Sequence, residues 1–198
     1  MKKTTALFVD GSNLYAGQYQ LFGPKKYLDF KRLIKFIEKN LKTTFNHIYF
    51  YASYSPKISK PKQKEKAYLK NEALFYRNVK STKNLTFFKG YRSKTSGKEK
   101  EVDVKLAVDV VDLAYKNKFE KLFLCSGDAD FMHAIKVAQG LKKEINILAL
   151  ENRIPHRFSY SYPIYLVCFQ KAQRIRKKNK RKIKEIIVKN KEELLEEC

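Results

Sequence analysis

The sequence predicts an α/β fold around a largely parallel sheet. Short strand-like runs alternate with stretches of helical spacing, the signature of βαβ units with right-handed crossovers and helices on both faces. The first run, Ala6-Leu7-Phe8-Val9, is apolar throughout and reads as a buried strand. A hydrophobic share of 43% with 14% aromatics is enough for a core, and 198 residues suit one domain plus an appendage.

After the first strand comes the turn Asp10-Gly11-Ser12-Asn13. Phe30, Leu33, Ile34, Ile37 and Leu41 fall at helical spacing, so Leu28 to Leu41 is a helix. His47 to Tyr54, rich in β-branched and aromatic residues, is the second strand. Two prolines and repeated lysines make Ser55 to Lys64 an exposed loop, and Glu65 to Val79 resumes helical spacing. Leu85 to Phe88 is the third strand, and Gly90 to Lys100 a basic loop. The stripe Val102, Leu106, Val110 and Leu113 marks a helix over Glu101 to Tyr115. Lys121 to Cys125 is the fourth strand and ends in Ser126-Gly127-Asp128-Ala129-Asp130. A helix from Phe131 to Leu141 and strands at Ile145 to Leu150 and Tyr162 to Phe169 follow. Beyond residue 170 come nine cations, Lys171 to Lys184, before the first acid, Glu185, in a run of good helix formers. The expected organisation is therefore a domain over 1–170 and a basic C-terminal helix over 171–198.

Charge narrows the function. Lys and Arg number 43 against 20 Asp and Glu, a formal net charge of +23. Such an excess repels itself in the compact state and points to a polyanionic partner. No run of about 18 apolar residues exists to cross a membrane, and the apolar stretch near the N-terminus is too short for a signal-peptide core. Cys125, Cys168 and Cys198 are odd in number and widely spaced, and His47, His133 and His156 are scattered. Neither set gives a disulfide framework or zinc spacing, which favours a reducing, cytoplasmic setting.

The acids separate an enzyme from a passive binder. Asp10 ends the first predicted strand, and Asp128 and Asp130 follow the fourth. In open α/β sheets the ligand crevice lies beyond the carboxyl ends of the strands, where strand order reverses. If these two strands are neighbours there, three carboxylates converge as hard oxygen ligands of the kind Mg²⁺ or Mn²⁺ takes. Asp103, in the first turn of its helix, shares a stripe with Leu106, Ala107 and Val110 and would bring a fourth. Ser12 and Asn13 offer polar contacts to a carboxylate or phosphate. Asp109 is out of phase and suits a solvated or lysine-paired role. Each acid also has a plain reading as a helix cap or a dipole partner.

Three motifs together resemble a known family. Phe8-Val9-Asp10-Gly11-Ser12-Asn13-Leu14-Tyr15 resembles the opening motif of NYN domains, Lys100 to Asp109 their central helix, and Leu124 to Phe131 their third motif. Order and spacing fit over about residues 4 to 150, most closely in the LabA-like group of these PIN-like nucleases. The resemblance implies a Rossmann-like α/β/α sandwich and an Mg²⁺- or Mn²⁺-dependent ribonuclease leaving 5′-phosphate and 3′-hydroxyl ends. Carried over by motif, Asp10, Asp103, Asp128 and Asp130 are the catalytic and metal-binding acids, with Asn13 in support. Glu101 stands where the family often has Gly. The basic C-terminal segment lies outside the family pattern.

The expected partner is RNA, single-stranded or structured, with no membrane; a homodimer stays open. Lys57 to Lys66 form one basic run. Lys89, Arg92, Lys94, Lys98 and Lys100 form another, leading into Asp103. Tyr15, Tyr19, Tyr54 and Tyr91 flank these runs and either stack bases or pack in the core. The alternative is a non-catalytic RNA-binding module of the same fold.

Overall fold

The computed structural model describes residues 3–56, 59–92, 99–169 and 183–198. In chain order these contain β1 (Thr5–Asp10), α1 (Gly11–Phe22), β2 (Lys26–Leu28), α2 (Phe30–Leu41) and β3 (His47–Ala52). Next come α3 (Gln63–Lys80), β4 (Leu85–Lys89), β5 (Tyr91–Arg92), β6 (Glu99–Lys100) and α4 (Val102–Tyr115). The remainder is β7 (Lys121–Cys125), α5 (Met132–Gly140), β8 (Glu144–Leu150), β9 (Ile164–Cys168), β10 (Ile183–Ile187) and β11 (Leu195–Glu197).

Among the described residues seven strands form one sheet in the order β10-β9-β8-β7-β1-β3-β4. Every pairing in it is parallel. All six residues of β1 are buried because both faces are covered. Leu7 and Val9 enter one apolar cluster with α1, α2 and α3, while Ala6 and Phe8 enter a second with α4 and α5. This is the α/β sandwich expected from the sequence. Strand order runs outward from β1 to β4, then restarts at β7 on the other side, so the reversal falls between β1 and β7. The register sets Val9 opposite Cys125, so the chain leaves both strands side by side.

Helix α1 differs from the expected turn. Gly11, Ser12, Asn13 and Gly17 are weak helix formers, yet burial of Leu14, Tyr15 and Gln18 holds the helix against the sheet. Gln18 also joins a buried polar network. Its amide donates to Asn71 Oδ1 at 3.1 Å, and its carbonyl accepts from the Leu28 N–H at 3.1 Å.

The C-terminal expectation needs correction. Residues 183–198 do not form the basic helix. β10 adds to the sheet edge beside β9, and β11 pairs antiparallel with β2. β-branched Ile183, Ile186, Ile187 and Val188 gain more from a pleated edge, where Ile186 and Val188 are buried, than the segment's helix propensity offers. The acidic end also has local partners: Lys26 pairs with Glu192 at 2.6 Å and Arg32 with Glu196 at 2.8 Å. Lys171 to Lys182 lie outside the described residues.

Candidate active site

Asp10 is 5% exposed. A carboxylate this deep needs hydrogen bonds, and the fold supplies them from two elements. One oxygen accepts from the Asn13 N–H at 2.9 Å, which caps α1, and the other from the Ser126 hydroxyl at 2.8 Å. The positive end of the α1 dipole adds to this. Ser126 Oγ in turn accepts from the Asp128 N–H at 3.0 Å, and Asp128 Oδ1 accepts from the Asp130 N–H at 2.9 Å. One buried hydroxyl thus ties the end of β1 to the end of β7. Cys125 lies under this link. Burial, then the nearby Asp10 charge, pushes its thiol up to about 12, so it is an inert core thiol.

Asp128 is exposed and lines a cleft of about 480 Å³ with Asn13, Gly127, Glu151, Arg153 and His156. A Cβ on Gly127 would stand 3.0 Å from the Arg153 carbonyl, so the bare backbone allows these two loops to close on the cleft. The Arg153 side chain crosses α1 at Gly17, where a Cβ would stand 3.0 Å from its Cγ. Its Nε is buried without a hydrogen-bond partner. Glu151, Arg153 and His156 were not among the residues expected from the sequence. The signal was available: Glu151 directly follows β8, the neighbour of β7 in the sheet, and the carboxyl ends of strands are where ligand residues gather.

The four acids do not all meet. Asp103 is exposed on the first turn of α4, because the buried stripe runs through Val102, Leu106, Val110 and Ala114 rather than through Asp103. Asp130 is exposed and, with His133, lines a separate groove between α4 and α5. Asp109 accepts from the Tyr51 hydroxyl at 2.8 Å and pairs with Lys105, matching its expected lysine-paired role. Burial, with the Asp109 charge second, pushes the Tyr51 hydroxyl up. Among the described residues no three His, Cys, Asp or Glu side chains form a group that could hold a metal. The donor chemistry still suits a hard cation, since Mg²⁺ commonly takes one or two protein carboxylates plus waters. Asp10 and Asp128 are the two acids whose backbone or side chain Ser126 links at this edge.

The basic residues divide. Lys89 ends β4 on the same sheet edge, two strands from Asp10, or about 10 Å at ~4.8 Å per strand. Its ammonium lies 5.2 Å from the half-buried Tyr54 ring, as does that of Lys80. Lys100 is exposed on β6, and Ser12 is half-buried beside Asp10. Lys57, Lys94, Lys98 and the Arg92 side chain lie outside the described residues. Tyr15 is a core residue whose hydroxyl donates to the Tyr68 carbonyl at 2.9 Å, whereas Tyr91 is 55% exposed.

The NYN domain family matches residues 4–165. The chain belongs to that family. It is thereby placed in the PIN-like nuclease superfamily. The NYN domain also superimposes on the crystal structure of a protein of unknown function from Vibrio parahaemolyticus RIMD 2210633. The TM-score is 0.56 at 17% identity, covering 85% of this chain and 94% of that one. At that identity the likeness speaks to the fold alone. No curated protein sequence matches the chain significantly. Among the described residues, no helix of the NYN protein is long and apolar enough to cross a membrane.

Proposed function

We propose that this NYN protein is a metal-dependent ribonuclease that hydrolyses RNA phosphodiester bonds at Asp10 and Asp128, leaving 5′-phosphate and 3′-hydroxyl ends. The observation that supports it most is the Ser126 hydroxyl, which donates to the buried Asp10 carboxylate and accepts from the Asp128 backbone N–H at the reversal of strand order. Asp10 and Asp128 would hold Mg²⁺ or Mn²⁺, with Asp103 and Asp130 as outer members of the set. When bound, the ion supplies Lewis-acid polarisation of the phosphoryl oxygen and a water acidified towards neutral pH. Ser126 fixes the Asp10 carboxylate, so that little reorganisation accompanies the reaction. Ser12 and Asn13 donate to phosphate oxygens at the N-terminus of α1. Lys89, Arg92, Lys94, Lys98 and Lys100 draw in the backbone, and Tyr91 offers a stacking face worth ~1–3 kcal/mol if engaged. The reducing cytoplasm is the expected setting.

The test is incubation of a 3′-labelled single-stranded RNA with the protein in Mn²⁺, in Mg²⁺ and in EDTA. Cleavage that needs the ion, yields 5′-phosphate ends and disappears in Asp128→Asn is the expected result. Tight RNA binding without turnover in either metal makes the protein a binding module instead.

Arg153 lines the cleft with its stem packed against Gly17, and its guanidinium would serve there as a phosphate clamp. Arg153→Gln is expected to weaken RNA binding about tenfold and to reduce the slope of log K against log salt by about 0.7. Filter binding from low to high salt reads both. An unchanged slope removes Arg153 from the phosphate contacts.

A further inference from the structure

Helix α4 has a second apolar line, opposite its buried one. Val104, Val108 and Tyr115 are 68%, 55% and 75% exposed, and Val111 is half-buried. They fall at i, i+4, i+7 and i+11, a single seam along the helix. A groove of about 690 Å³ extends from this seam to Ala134, Val137 and Leu141 on or just beyond α5. Single exposed apolar residues are ordinary, but a contiguous seam beside an apolar groove marks an interaction surface.

We propose that this seam is the two-fold interface of a homodimer, α4 packing antiparallel on α4 of a second copy. The choice of occupant rests on charge. With a net charge of +23, most of the surface repels another copy. Helix α4 is different: it carries Asp103, Asp109 and Asp112 against Lys105. In heptad terms Val108 and Tyr115 are a positions, Val104 and Val111 are d positions, and Lys105 and Asp112 both fall at e. Antiparallel pairing centred between Asp109 and Val110 sets Val108 on the second copy's Val111, and Tyr115 on the second copy's Val104. In the same register Lys105 and the second copy's Asp112, both at e on one flank, lie two residues off level, about 3 Å along the axis, and two-fold symmetry repeats the pair in reverse. Lys105 is held by Asp109, and Asp112 by Lys116 at 2.8 Å. On the other flank the half-buried Ala107 presents no bulk against an axial separation of about 8–10 Å. Opposed helix dipoles also favour this arrangement. The proposal is independent of the nuclease reading.

Sedimentation velocity on the full chain from about 1 to about 200 μM, a span that brackets micromolar association, tests it with circular dichroism as the fold check. A concentration-dependent dimer is expected. Val108→Glu should weaken it at least about tenfold, and Val104→Lys, at a more exposed position, should act alike if the first variant misfolds. Lys105→Glu and Asp112→Lys should each weaken the dimer, and the double exchange should restore it. A monomer across the whole range, a dimer indifferent to the apolar changes, or a double exchange that recovers nothing overturns the proposal.

Discussion

Asp10→Asn is expected to lower RNA cleavage by about 10³-fold or more while leaving stability nearly unchanged. The amide keeps an oxygen to accept the Asn13 N–H, and Asn caps a helix about as well as Asp. Its NH₂ faces Ser126, whose hydroxyl can turn and accept, since it has two lone pairs and already receives one donor from Asp128. The links to Asn13 and Ser126 are therefore kept, at the cost of a charge and of the acceptor for the Ser126 O–H. Asp10→Ala is a different experiment. It removes the cap, at about 1 kcal/mol, and leaves the Ser126 hydroxyl and the Asn13 N–H without their acceptor in a buried site. Urea unfolding of the three proteins beside single-turnover rates in Mn²⁺ separates the effects. Cleavage by Asp10→Asn at the wild-type rate would falsify the assignment of Asp10 to the chemistry.

Gly11→Ala should destabilise the protein strongly, although Ala is the better helix former. A Cβ there would stand 2.3 Å from Phe50 Cε1, 2.7 Å from the Tyr51 carbonyl oxygen and 2.8 Å from Ala52 Cβ. The last two belong to β3 and have no rotamer to escape into. Overpacking of this kind costs about 1–3 kcal/mol, and each kcal/mol moves the melting temperature of a chain this long by about 2–4 °C. Cleavage should fall as well, because Gly11 begins α1 directly after Asp10, whose carboxylate caps it. Gly140→Ala provides the opposite sign. It is the last residue of α5, nothing lies within 4 Å of its Cβ position, and the substitution should stabilise by about 0.4–1 kcal/mol. Thermal melts of the two variants check the contrast, and a neutral Gly11→Ala would mean that β3 yields more easily than this packing suggests.

The parallel sheet was legible because its strands are apolar in short runs, Ala6 to Val9 and Leu122 to Cys125 among them. Such runs have few other places to go in a chain this polar. The reversal between β1 and β7 was legible only as a condition, since the sequence does not say which strands are neighbours. Helix α1 was hidden because its stability comes from burial of Leu14, Tyr15 and Gln18 against other elements, a tertiary effect that outweighs two glycines. The tail was misread for the converse reason. Lysine and glutamate suggested a helix, but Ile186 and Val188 had a sheet edge waiting. At the site, Asp10 and Asp128 stood out because one ends a strand and the other closely follows one. Arg153 did not, because its place at the cleft depends on Gly17 lying beneath it, 136 positions earlier in the chain.

The position of β1 also bears on how the protein is made. It is synthesised before every other strand, yet it is the inner partner of both β3 and β7. Asp10 and Ser126 are separated by 116 residues. At translation rates of about 5–20 residues per second, roughly 6–23 s pass between their syntheses. During that interval one edge of a strand that ends up fully buried has no native neighbour, a template for pairing with the wrong chain. No nascent fragment ending before β7 can hold the Asp10 carboxylate in its hydrogen-bonded setting. The contacts that complete the site are among the longest in sequence, so folding should be slow, and competence at Asp10 should arrive with the closing of the sheet.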